Sequence, residues 1–191
     1  MTQLVKLLIA VLISVWGVAS LAAQPAATAV QNESYRAADG TRVMQLSLIL
    51  PANPERLWWA LTTSEGFRTW AAPVAFVDFK LGGFIESSYN AKAQQGDASN
   101  IRNEIMAFVP LRMLAIRNRQ APPNALFDAA TFQKMHTVIL LDVVDDQHTR
   151  MTLTQPGFEN DALFDGVYKH FEAGNRWTLQ QLHKSLGAKA P

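Results

Sequence analysis

The chain has no cysteine, so it has no disulfide framework, no thiol nucleophile and no cysteine at which a lipid could be attached. Its core must hold without covalent staples. A surplus of basic charge is also missing: 17 Lys and Arg stand against 16 Asp and Glu, a formal net charge of +1, with no Lys/Arg cluster and no interleaving of arginine with aromatics. A nucleic-acid partner would need a basic face to release counterions from phosphate, so none is expected. Histidine is sparse. The four, His136, His148, His170 and His183, fall in different elements without a His-x-x-x-His spacing, and no metal site is expected. No Gly-x-Ser-x-Gly elbow, phosphate loop or dinucleotide fingerprint is present, so no cofactor and no catalytic residue is assigned.

What is present begins with an address. One cation, Lys6, precedes an apolar run from Leu7 to Leu21 that ends in the small residues Ser20-Leu21-Ala22-Ala23, the layout of a secretory signal peptide. The run is shorter than the roughly 18 to 20 apolar residues that span a bilayer. Residues 1–22 are therefore expected to be cleaved after Ala22, giving a periplasmic or secreted protein with no stable membrane insertion. The remaining 169 residues lose only Lys6, so their formal net charge is zero. A chain of that size buries about 70% of its unfolded surface and supports one independent core.

Residues 23–34, Ala-rich and polar with one proline, show no apolar periodicity and are expected to form a flexible leader to a domain at 35–187. Met44, Leu46, Leu48 and Leu50 alternate with polar neighbours, which predicts a half-buried strand. Asn53 can then cap a helix, Pro54 suits its first position and Glu55 answers its dipole. Ser64-Glu65 opens a second helical turn that carries Phe67 and Trp70 and stops before Pro73. Strands follow over 74–80, 84–90, 101–109, 111–118, 136–144 and 149–155, the first two joined by Gly82-Gly83, a pair able to take the positive φ angles of a tight hairpin. From Asp161 to Leu186 the period changes. Phe164, Val167, Phe171, Thr178, Leu182 and Leu186 recur at three-, four- and seven-residue steps, as on an amphipathic helix that Gly187 ends.

The order strand, paired aromatics Trp58-Trp59, Trp70 and the glycine hairpin resembles the START/Bet v 1-like (SRPBCC) superfamily, in its Hsp90-ATPase-activator C-terminal-domain-like branch. The element Glu104 to Leu114 around Pro110 is similar to that group's strand-proline-strand unit. Thr149-Arg150-Met151-Thr152 with Gly157 resembles its penultimate strand, and Gly174-Asn175-Arg176-Trp177 its closing helix. The resemblance implies an α+β helix-grip fold: a curved antiparallel sheet of six to seven strands wrapped around a long C-terminal helix, with two short helices after the first strand. It also implies a cavity between sheet and helix. A fold of this kind does not by itself transfer an activity.

Residues 119–135 depart from that plan. They hold Ala121-Pro122-Pro123-Asn124, then Leu126, Phe127 and Phe132, where a tight turn would suffice; either a lid over the cavity mouth or a satellite cluster on the sheet edge would bury those side chains. Glu159, Asp161 and Asp165 form the densest acidic group, which serves acid–base chemistry if buried and a helix dipole if not. Arg102 and Arg117 lie in strands; directed inward they would need a carboxylate or an anionic ligand head, and directed outward they form a solvated face. Trp59, Trp70, Tyr89, Met106, Phe127, Phe132, Phe171 and Trp177 are the candidate ligand-binding residues, being the large side chains that would line a gripped cavity.

The expected function is an exported binding protein for a small hydrophobic or amphipathic molecule or lipid. Two alternatives stay open, a cyclase- or hydrolase-like enzyme using the same cavity and a protein-interaction or chaperone-like module. Action on Hsp90 would conflict with export from the compartment where that chaperone works. Oligomeric state is not legible.

Overall fold

The structure, a computed structural model, describes residues 29–123, 125 and 127–188. The expected signal peptide lies outside the described residues, as do Asn124 and Leu126. Nine antiparallel strands among the described residues form one open sheet: β1 (Gln31–Asn32), β2 (Tyr35–Arg36), β3 (Arg42–Leu50), β4 (Val74–Asp78), β5 (Phe84–Ser88), β6 (Ile101–Val109), β7 (Met113–Gln120), β8 (His136–Asp145) and β9 (His148–Phe158). The order across the sheet is β1-β3-β9-β8-β7-β6-β5-β4, with β2 also on β3. Four helices complete the described chain: α1 (Pro54–Thr62), α2 (Ser64–Arg68), α3 (Ala129–Lys134) and α4 (Ala162–Gly187).

Local chemistry accounts for the helix starts. The Asn53 side chain accepts the Arg56 N–H at 3.0 Å, Thr63 caps α2 through the Gly66 N–H at 3.0 Å, and Asp161 caps α4 through the Phe164 N–H at 2.8 Å. Each satisfies a donor that the first helical turn leaves without a partner. Alternation along the strands then sends Met44, Leu46 and Leu48 of β3, Leu114 of β7 and Met151 of β9 to the buried face. These meet Leu57 and Leu61 of α1 and Phe164, Val167, Leu179 and Leu182 of α4 in a single core. Thr149 ties β9 to the entry of α1 by donating to the buried Ala52 carbonyl at 2.8 Å.

Seven of the nine strands are the ones expected; the other two are the dipeptides β1 and β2, too short to show a period. Regular structure is also found before Tyr35, inside the segment expected to be a flexible leader. Gln31 and Asn32 pair with Ser47 and Leu46, Val30 is buried, and the Arg176 guanidinium of α4 donates to the Val30 carbonyl at 3.0 Å. A contact between residues that far apart in the chain leaves no local sequence signal.

The glycine hairpin needs one correction. Gly82 takes a positive φ of 72°, but Gly83 does not. A Cβ on Gly83 would instead collide with the carbonyl oxygen of Asp78. Both positions thus exclude a side chain, one for conformation and one for space. The tip is anchored where it matters, since Gly82 N–H donates to the Ile105 carbonyl at 2.9 Å and Ile105 N–H to the Gly83 carbonyl at 2.8 Å.

Candidate functional site

On α4 the fully buried stripe breaks between Val167 and Leu179. Phe171, Gly174, Asn175 and Thr178 occupy the gap, and beneath them a cavity of about 440 Å³ lies between the helix and the sheet, within the range of roughly 300 to 1,000 Å³ typical of small-molecule pockets. Its walls are mostly apolar. Leu114, Ile116, Ile139, Met151 and Leu153 rise from the sheet, Leu61, Phe67 and Trp70 come from the region of α1 and α2, and Phe127 and Phe132 come from the insertion.

The insertion is built to stay on this end of the cavity. Asp128 caps α3 by accepting the Thr131 N–H at 2.7 Å, and that bond, strengthened by the Thr131 hydroxyl, holds the Asp128 carboxyl below the usual aspartate range. Phe132 is buried. Phe127 stacks on Phe132 at 5.6 Å and on Phe171 of α4 at 5.5 Å, and meets the His170 ring edge-on at 5.4 Å. Ala121, Pro122, Ala125, Phe127 and Phe132 of the insertion therefore form a cavity wall clamped to α4, and Gln133 fastens its side chain to the Arg119 carbonyl at 3.2 Å.

Of the eight candidate residues, the cavity brings together five. Trp70, Phe127, Phe132 and Phe171 are wall residues, and Tyr89 stands at the rim with most of its side chain exposed. The Trp70 Nε1–H is satisfied by the Ala60 carbonyl at 2.8 Å, so it offers the cavity only its ring. Trp59, Met106 and Trp177 lie outside, 44, 45 and 47% exposed. Helix and strand geometry explains each. Trp58, not Trp59, turns inward to meet Phe79 at 5.7 Å; Met106 follows the fully buried Ile105, so alternation turns it out; and Trp177 is two residues from the buried Leu179, about 200° around the helix.

The charged candidates sort to the other side of the sheet. Arg117 donates to Glu104 at 2.9 Å and Arg119 donates to the same carboxylate at 2.5 Å. These two bonds hold the Glu104 carboxyl below its ordinary range, Arg117 contributing most. Arg102 lies 4.0 Å over the Phe84 ring. The acidic group at the start of α4 is likewise occupied: Glu159 pairs with Lys134 at 3.3 Å, Asp161 is the cap and Asp165 pairs with Arg42 at 2.7 Å. His148 binds Asp145 at 2.8 Å, and no group of three metal-ligating side chains occurs among the described residues. His170 and Glu172, two apart on α4, diverge, and Glu172 pairs with Arg176 at 3.1 Å. Among the described residues no Asp, Glu, Lys or Arg lines the cavity.

A polar set in the lining has no counterpart among the eight candidates. Asn103, Asn118, Thr137, Gln155 and Asn175 face the cavity, and Asn118, Thr137 and Gln155 are each at least nine-tenths buried. The signal was parity: each strand residue in the set stands two positions from an apolar residue of the same face, namely Ile105, Ile116, Ile139 and Leu153. Which end of each strand meets the cavity follows only from the antiparallel order.

No curated protein matches the chain in sequence. Solved structures share its fold at low identity. Protein MLL2253 from Mesorhizobium loti is 18% identical with a TM-score of 0.59, covering 78% of this chain and 100% of that one. CalU16 from Micromonospora echinospora is 16% identical with a TM-score of 0.59, over 88% and 80% of the two chains. The Aha1 dimer from Colwellia psychrerythraea is 15% identical with a TM-score of 0.55, over 75% and 95%. The family model described as "Activator of Hsp90 ATPase homolog 1-like protein" matches residues 51–187, from the loop before α1 to the end of α4. With most of its length matched and the helix-grip arrangement around it, the chain belongs to the Activator of Hsp90 ATPase homolog 1-like family of the START/Bet v 1-like superfamily.

Proposed function

We propose that this protein binds a small hydrophobic or amphipathic molecule in the cavity between the sheet and α4. The observation that carries the proposal is the break in the buried stripe of α4. A helix that packs fully at both ends leaves about 440 Å³ beneath its middle, lined with aromatic and aliphatic side chains. A concave, mostly apolar lining of that size is surface that a small hydrophobic molecule removes from water on binding. Export is part of the same proposal, supported by Lys6, the apolar run and the small residues that end it.

Native mass spectrometry of the protein isolated from its own cells tests both points. The expected result is a chain lacking residues 1–22 that carries a retained small molecule released on denaturation. A ligand-free protein that also fails to enhance the fluorescence of neutral hydrophobic dyes would overturn the binding reading, and a full-length chain in the membrane fraction would overturn export. The interaction-module alternative draws on the exposed apolar side chains Met106, Val109, Leu140 and Val143. It predicts that substitutions there, and not in the cavity, abolish activity.

A further inference from the structure

The cavity has two kinds of surface. Antiparallel order brings the start of β6, the end of β7, the start of β8 and the end of β9 to one side, and there the inward-facing residues are Asn103, Asn118, Thr137 and Gln155. Asn103 and Asn118 are direct cross-strand partners. Gln155 donates to the Thr137 hydroxyl at 2.9 Å and accepts from Asn175 of α4 at 2.8 Å. A belt of five neutral side chains thus crosses the sheet and climbs onto the helix. Three of the five are joined in this way. The amides of Asn103 and Asn118 make no side-chain hydrogen bond to another described residue, although Asn118 is only 5% exposed. An amide on the cavity lining without a side-chain partner keeps both a donor and an acceptor for a ligand.

We propose that the ligand has an apolar body and one uncharged, oxygen-bearing end of the alcohol or ketone class, and that Asn103 and Asn118 bind that end. This rests on the cavity being a ligand site, as proposed above. Charge is the deciding consideration. An ionised carboxylate, phosphate or ammonium must shed its hydration on entry and needs an opposite charge in return. The lining supplies none: the arginines of β6 and β7 are turned to the other face against Glu104 and Phe84, and His170 stands exposed at the mouth. A hydroxyl or carbonyl needs only what an asparagine amide gives.

The test is competition against the neutral dye N-phenylnaphthylamine by a series with one chain length and different ends: decanol, a decanone, decanoate and decylammonium. Decanol or the decanone should displace the dye at concentrations about tenfold or more below those of decanoate and decylammonium. Asn118→Leu and Asn103→Leu, which keep asparagine's branching at Cγ but remove its amide, should each narrow the advantage of the neutral competitors over the charged ones about five- to tenfold, every competitor being measured against that variant's own dye affinity. Thermal denaturation checks that both variants are folded; Asn103 is the less buried, so one informative variant survives if Asn118→Leu does not fold. Decanoate competing as well as decanol, or the preference persisting in the folded leucine variants, would overturn the neutral-end assignment while the cavity reading stands. If neither dye nor any competitor binds the folded wild type, both fall together.

Discussion

Gly174 sits in the interior of a 26-residue helix, where glycine is unfavourable by about 0.8 to 1.0 kcal/mol relative to alanine. Helix interiors retain glycine where a side chain would strike something, yet a Cβ placed on Gly174 finds nothing within 4 Å and its φ is not positive. What it borders is the cavity. Gly174→Ala should therefore stabilise the protein by about 0.8 to 1.0 kcal/mol, a rise of roughly 2 to 4 °C in Tm for a domain of this size. Gly166→Ala, in the same helix with equally open space and outside the cavity lining, is the control and should gain a similar amount. Gly174→Leu should keep much of that gain in helix propensity but place its branched end in the space a ligand needs. Dye binding should then fall about tenfold or more while Tm does not fall below wild type. Scanning calorimetry and dye titration on the same three variants separate the effects. Destabilisation by Gly174→Ala would mean that the glycine serves packing, and undiminished dye binding by Gly174→Leu would mean that the ligand does not use this part of the cavity.

At the hairpin, Gly83→Ala should cost more than about 1 kcal/mol in urea denaturation despite its ordinary φ, because the Asp78 carbonyl must move; Gly82→Asn should be milder, since asparagine tolerates the left-handed region. Equal costs at the two positions would refute the distinction. Phe127→Ala should cost less than the about 3 to 5 kcal/mol expected of Phe158→Ala, because Phe158 is fully buried whereas Phe127 already borders open space; equal losses would make Phe127 an ordinary core residue. The Asp128 carboxyl titrates below its unfolded value, so its contribution is complete above about pH 4 and fades as pH falls through the lowered folded value. The Tm deficit of Asp128→Ala should accordingly be largest near neutrality and shrink toward pH 2, and a deficit constant with pH would assign the effect to side-chain size alone.

Elements were legible where local chemistry decides them. Asn53-Pro54-Glu55 announced α1, and alternation on β3 and the helical period after Asp161 announced two faces of the core. Function-bearing detail was less legible. Large side chains were assigned to the cavity by size, but Trp58 and Trp59 are equally large and only helix phase decides which of them faces inward. The neutral belt escaped for the opposite reason. Asn103, Asn118 and Gln155 look like solvent-facing strand positions until the sheet order shows that they share a side with Ile105, Ile116 and Leu153. Pairing order is a global property, and β1 on β3 is a further case of it.

The insertion resolves into both of the roles its sequence allowed. Phe132 is buried as a satellite cluster would bury it, and Phe127 presents surface to the cavity as a lid would. What joins the roles is the clamp on α4, in which Phe127 stacks on Phe171 and meets His170 while Phe132 also stacks on Phe171. Aromatic pairs contribute about 0.5 to 1.5 kcal/mol each beyond the area they bury, so parting Phe127 and Phe132 from Phe171 costs roughly 1 to 3 kcal/mol plus the side-chain area exposed. Global unfolding of a domain costs about 5 to 15 kcal/mol. A wall held at the lower figure would part from α4 at less cost than unfolding the domain, which is the route the binding proposal expects a ligand to take. Under the binding proposal, a ligand that touched both Phe127 and Phe171 would favour the closed wall and would leave only as fast as those contacts part.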